Sequence, residues 1–170
     1  MLSRLVLFLA LFSTQAFSLD ARSFVVTPVI TAAAYADGDQ IGTYTKLEGI
    51  LPESSGTIDL RTLVVIDNDK QKADLQLLFF NALPVLASAD NAAVSFTDAV
   101  ADASFIGRVS IATSDYVDTA SNSQATKTLS NTLLTGLGSD DLWVVIVCKA
   151  AGNCDYAAVN DLVLRFTYLE

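Results

Sequence analysis

The sequence predicts an all-β protein: an antiparallel β-sandwich of jelly-roll type, with about eight strands and one short helical insert. Two observations carry this. Apolar runs rich in β-branched and aromatic residues recur at short spacing, and Gly, Asn, Asp and Ser separate them. Helices alternating with strands, which a parallel sheet needs for its crossovers, are absent from the pattern.

The first strand is read over Phe24–Thr31, where Pro28 marks an edge strand or a bend. Asp37-Gly38-Asp39 is a turn, and a second strand follows from Gln40 to Leu47. Pro52–Gly56 is a loop before a third strand, Ile58–Ile66. Asp67–Lys70 is a polar turn, read as a solvated hairpin tip. The fourth strand, Ala73–Asn81, has Leu75, Leu77 and Phe79 on one face and Leu78 and Phe80 on the other.

Between Pro84 and Ala103 the pattern changes, and Ser95–Ala103 predicts a short helix with Thr97 as its N-cap. Strand character returns at Phe105–Ile111, with Phe105, Val109 and Ile111 facing one way and Ile106, Arg108 and Ser110 the other. Ser114–Gln124 reads as a polar loop and Thr126–Leu134 as a strand. Leu142–Cys148 and Val159–Tyr168 complete the set. In the last of these, Leu162, Leu164, Phe166 and Tyr168 share a face opposite Val163, Arg165 and Thr167.

Residues 1–18 form a signal peptide-like segment. Arg4 is the positive start, Leu5–Phe12 the short apolar stretch, and Ala16 and Ser18 the small residues at cleavage spacing. The alternative is an N-terminal docking arm that stays on the chain. Residues 19–170 are expected to make a single β-sandwich domain, a length that supports a substantial core. After Phe12 no apolar run is long enough to span a bilayer, so the mature chain is expected to lack a membrane span.

The chain carries 19 Asp and Glu against 10 Lys and Arg, a formal charge of −9. That balance argues against nucleic acid as a partner, because phosphate recognition needs a basic face. The 170 residues include no histidine. This removes the commonest general base, the commonest zinc ligand, and the Ser-His and Cys-His nucleophile pairs. No phosphate-binding loop or dinucleotide fingerprint occurs. Asp67–Lys72 lacks the glycine and distal glutamate of a calcium loop, and Asp37, Asp39, Asp140 and Asp141 read as turn residues. The expectation is therefore no enzyme, no catalytic residues, no cofactor and no metal. Trp143, inside an apolar strand, is expected in the core. Cys148 and Cys154 flank a Gly-Asn turn signal and are expected to form a disulfide across a hairpin loop, in keeping with export.

Several segments together resemble a family of tailed-phage virion structural proteins, over about residues 27–170. They are residues 31–42, Leu63–Asp67 leading to Leu77–Asn81, Asp90–Ala93, Ile106–Ile111 with Asp115 and Tyr116, and Asn160–Phe166. The resemblance implies a surface-exposed particle component of the capsid-decoration type. Its partners would be capsid or other virion proteins, with self-association into a homo-oligomer, and its location would be the virion. Two other readings stay open: an exported bacterial envelope or filament subunit, periplasmic or at the cell surface, and a secreted carbohydrate-binding or hydrolytic β-sandwich.

Overall fold

The computed structural model describes residues 20–31, 33–86, 88–149, 154–156 and 158–170, so the signal-like segment 1–18 lies outside the described residues. Eleven strands and one helix occur among them. They are β1 (Ala21–Val26), β2 (Ala33–Tyr35), β3 (Thr45–Leu47), β4 (Thr57–Asp67), β5 (Leu75–Phe80), α1 (Asp98–Ser104), β6 (Phe105–Ile111), β7 (Tyr116–Asp118), β8 (Ser123–Thr135), β9 (Leu142–Cys148), β10 (Cys154–Tyr156) and β11 (Leu162–Leu169). One sheet runs β1-β11-β4-β8-β7 and the other β3-β9-β5-β6, with a small β10-β2 ladder beside them. Every pairing is antiparallel.

The two large sheets pack face to face as a β-sandwich, and the inward residues of each strand make the core between them. Leu162, Leu164, Phe166 and Tyr168 of β11 are all buried there, as the alternation predicts. Leu75, Leu77 and Phe79 of β5 face them from the other sheet, and Phe79 meets Phe166 edge to face at 6.0 Å.

In β4 the inward set changes phase, from Ile58 and Leu60 to Leu63 and Val65. A bulge around Arg61 absorbs the extra residue, visible as register shifts against both β8 and β11. A similar bulge corrects the expected facing of β6. Phe105 pairs with Phe80 and lies in the outer layer, while Ile106 packs on the inner core beside Val109 and Ile111. Strict alternation from Ile111 backwards fails at Phe79/Phe80, where the ladder slips.

Several boundaries differ from expectation. The first strand ends at Val26, before Pro28, and is an edge strand paired only with β11. The second shrinks to Thr45–Leu47, because Gly42 adopts φ +72° and breaks the run. A side chain at Gly42 would meet the Val29 carbonyl oxygen at 2.6 Å, so the close passage of residues 28–29 requires glycine there. The presumed loop Ser114–Gln124 contains β7 and the start of β8, folded back by a turn in which Asn122 and Thr119 bond each other.

Asp67 is not a solvated hairpin tip. β4 and β5 belong to different sheets, so residues 68–74 cross from one sheet to the other. Asp67 is 0% exposed, and its carboxylate accepts from the backbone N–H groups of Asp69 (3.1 Å) and Lys72 (2.6 Å). It organises the crossing from within. Lys70 and Lys72 take left-handed φ values of +58° and +50° in this same tight path.

Cys148 and Cys154 are bonded to each other. They do not flank a hairpin. β9 pairs with β3 and β5, and β10 pairs with β2, so the bond ties the β3-β9-β5-β6 sheet to the small ladder. The Gly152-Asn153 turn signal lies outside the described residues.

Candidate functional site

Antiparallel pairing fixes three cross-strand rows on the outer face of β9-β5-β6. Trp143, Phe80 and Phe105 make the first, Val145, Leu78 and Arg108 the second, and Val147, Gln76 and Ser110 the third. The face thus grades from aromatic, through aliphatic, to polar.

The aromatic end is covered. The segment from Leu86 to Val100, including the start of α1, lays Leu86, Val94, Phe96 and Val100 over Leu78, Phe80, Val145 and Val147. Phe80 contacts the rings of both Phe96 and Phe105 at 5.6 Å. Thr97 caps the helix as the sequence predicts, its Oγ1 accepting from the Val100 N–H at 3.3 Å. Trp143 belongs to this outer layer, half-buried, and not to the core between the sheets. Its expected core position was the alternative face of the same apolar strand, where both sides of β9 are hydrophobic.

The covering segment is anchored by a half-buried hub that sequence inspection did not single out. Asp90 accepts from Thr31 Oγ1 (2.7 Å), the Tyr35 hydroxyl (3.0 Å) and the Gly42 N–H (2.7 Å). Burial and the facing Asp90 carboxylate push the Tyr35 phenol up, with burial the larger cause.

Where the cover stops, a cleft of about 430 Å³ opens. Leu78, Phe96 and Phe105 line its apolar side, and Gln76, Arg108 and Lys149 its polar side. A shallower depression of about 310 Å³ shares Gln76 and Lys149 and continues past Ser110 toward Lys127. A mostly apolar hollow with a few convergent polar groups is the usual form of a ligand site.

The two cations of the cleft differ in how they are matched. Most described cations are matched to acids: Arg22 to Glu170 (3.0 Å), Lys46 to Asp141 (2.9 Å), Arg61 to Asp59 (3.1 Å), Lys72 to Asp118 (2.9 Å) and Lys127 to Asp115 (2.9 Å). Hydrogen bonds, together with these pairs, hold the carboxyls of Asp115, Asp118 and Asp141 below their ordinary range. The largest single causes are the Ala112 N–H, the Ser123 hydroxyl and Lys46 respectively. Lys70 instead donates to the Thr119 and Ala120 carbonyls. Lys149 pairs with Asp37 at 3.3 Å. Arg108 and Arg165, both exposed, have neither an ion pair nor a hydrogen bond among the described residues. Arg108 is therefore an unmatched cation at the mouth of an apolar cleft.

The residues considered for chemistry are not brought together. Asp39 accepts from the Ala36 N–H (2.7 Å) within its own turn, and Asp141 accepts from the distant Gly49 N–H (3.1 Å), tying together two loops. Asp67 lies buried in its crossing, and Asp140 is exposed. Among the described residues no group of three or more Cys, Asp or Glu is placed to hold a metal ion. The arrangement on the sheet face can bind, through Arg108, Lys149 and Gln76. A lone arginine in the apolar run Phe105–Ile111 was the sequence signal for it. No protein-family model matches the chain, and no curated protein matches it.

Proposed function

We propose that this chain is a non-enzymatic structural protein of a viral particle, a surface-exposed capsid-decoration or cement subunit of a tailed phage that self-associates. The observation that carries the reading is strand order. Leaving aside the short β2, β7 and β10, the sheets read β1-β11-β4-β8 and β3-β9-β5-β6. In chain order that is first-eighth-third-sixth facing second-seventh-fourth-fifth, an order that supports a jelly-roll reading, the fold used by viral capsid and lectin domains. The resemblance of residues 27–170 to tailed-phage virion proteins points the same way.

Surface features support an assembly role. Tyr44, Leu83 and Val85 surround a depression of about 350 Å³, and Val85 is 75% exposed. Contiguous exposed apolar side chains of this kind mark protein contacts. Among the described residues, edge strands β1 and β6 each pair on one side only, which suits further strand pairing. Mass spectrometry of purified virions and of host envelope fractions tests the proposal. Peptides of residues 20–170 are expected in virions at structural stoichiometry. Recovery in the envelope or medium alone would reject the particle assignment.

A second reading is favoured by the cleft on the β9-β5-β6 face: an exported β-sandwich that binds a ligand. The disulfide supports passage through an oxidising compartment. Intact mass separates a cleaved leader from a retained arm, since a mature chain starting near Leu19 supports export.

A further inference from the structure

We infer that the cleft under α1 and the polar groove continuing from it bind an acidic oligosaccharide, one whose sugar units carry carboxylates. The inference does not depend on the particle reading and would hold for either role.

Three features of the site select this ligand class. The first is charge. In a chain of net charge −9, Arg108 is left unmatched on the same face as Lys149. A guanidinium presents a planar fork that fits a carboxylate bidentately. The second is spacing. Leu78 pairs with Arg108, and the Lys149 N–H bonds the Asp74 carbonyl, so the two cations sit two strands and two same-face steps apart. Standard sheet dimensions put their Cα atoms about 16 Å apart, with Gln76 between them. A ligand with carboxylates repeated along its length offers one to each of them. The third is the floor. Gln76 and Ser110 offer hydrogen bonds for hydroxyls, and Phe96 and Phe105 offer apolar carbon for the C–H face of a sugar ring.

A peptide fits less well. The backbone of β5 is already paired on both sides, with β6 and with β9, so the floor of the cleft has no main-chain groups for strand addition, which are left only at the β6 edge. Recognition must run through side chains, which suits a hydroxyl-rich ligand.

The test is titration calorimetry of the folded chain with a short oligogalacturonate. A cello-oligosaccharide of equal length and a poly-glutamate peptide serve as contrasts. We expect the oligogalacturonate to bind, more weakly as salt rises, and the neutral sugar to bind far less. Arg108→Gln should weaken binding about tenfold and Lys149→Gln about threefold, each within reach of one charge-assisted contact. Arg165→Gln removes an equally unmatched arginine from the other sheet and should change nothing. The inference is overturned if the chain ignores oligogalacturonate, or if Arg108→Gln and Arg165→Gln weaken it alike. It is equally overturned if poly-glutamate binds through Arg108 as tightly. Should Arg108→Gln fail to fold, the Lys149→Gln and Arg165→Gln pair decides on the same criterion.

Discussion

Two apolar layers lie on opposite faces of β5 and β9. The inner layer lies between the sheets and takes Leu75, Leu77 and Phe79 from β5; the outer layer lies under α1 and takes Leu78 and Phe80. The inner layer is closed by sheet on both sides. Its members come from nearly every strand, and Phe79, Phe166, Tyr35 and Tyr156 are fully buried. The outer layer is closed by a seven-residue helix and the irregular segment before it. Only Leu78, Phe80, Val145 and Val147 are buried there, and the rings that cover them are half-exposed. The difference teaches where stability and function divide. A layer sealed by ladders gives a rigid frame, and a layer covered by a short insert leaves an open margin, which is where the cleft lies.

The strongest way to break this contrast is Phe79→Ala. It deletes a fully buried ring at the junction of the two sheets and should cost about 3–5 kcal/mol. Urea unfolding should show a lower midpoint by every probe together. If only the signal from one sheet moves, the inner layer is not a single cooperative unit.

Next in size is the disulfide. Both cysteines are buried in the inner layer, and their bond closes a short loop. Replacing both with alanine should cost about 2 kcal/mol by the chain-entropy model. Because the bond joins separate ladders, hydrogen exchange should quicken in β2 and β10 before β5 and β9. Uniform quickening would show that the small ladder is held by other means.

Asp67 sharpens the picture at the inner margin. Burial pushes its carboxyl up, against the opposing pull of the backbone N–H groups that donate to it. A group raised in the folded state contributes stability that is full below its unfolded value and lost as pH rises through its folded value. Asp115, Asp118 and Asp141 act oppositely, contributing above the unfolded range and losing it as pH falls through their lowered values. Asp67→Asn leaves one of the Asp69 and Lys72 N–H groups without its acceptor and should cost about 1–2 kcal/mol. That cost should be largest in acid and shrink as pH rises through the raised value. A cost that grows with pH would reverse the sign assigned to burial.

Phe96→Ala probes the outer layer alone. Phe96 is half-buried and reaches Phe80 from the cover, so its loss should cost about 1 kcal/mol, well below a core truncation. Amides of Asp98–Ser104 should exchange faster while those of β4 and β11 hold. Equal effects in both places would merge the two layers.

Side-chain alternation made much of this legible in the sequence. The two faces of Leu75–Phe80, the inward set of β11, the Thr97 cap and the cysteine pair all follow from local pattern. Partners do not. β1 pairs Ala21 with Leu169, and β4 lies between β8 and β11, none of them its sequence neighbours. Periodicity states which way a side chain points and not which strand lies beside it. The same limit hid the site. Arg108, Gln76 and Lys149 come from three strands, and only their pairing places them on one face. Bulges set the second limit: Phe105 and Ile106 changed faces because one slipped residue reverses everything beyond it. Asp67 looked like a solvated turn because composition marks a polar run and cannot show that its first carboxylate turns inward.

The smallest expected effect is that of Tyr156→Phe, set against Tyr35→Phe in the same small ladder. Tyr35 and Tyr156 lie on the paired strands β2 and β10, and both are buried. The Tyr35 hydroxyl donates to Asp90 at 3.0 Å and receives the Thr31 N–H at 3.2 Å. The Tyr156 hydroxyl is buried with no hydrogen-bond partner among the described residues, and burial pushes its phenol far up. Tyr35→Phe therefore strips a donor from a carboxylate and should cost about 1–2 kcal/mol. Tyr156→Phe keeps the ring, which does the packing, and removes a desolvated hydroxyl that returns nothing. It should be neutral, or stabilise by up to about 1 kcal/mol. Paired urea titrations read the sign directly. A shared loss of similar size would mean that the Tyr156 hydroxyl is satisfied in solution, and that its removal costs what the Tyr35 hydroxyl costs.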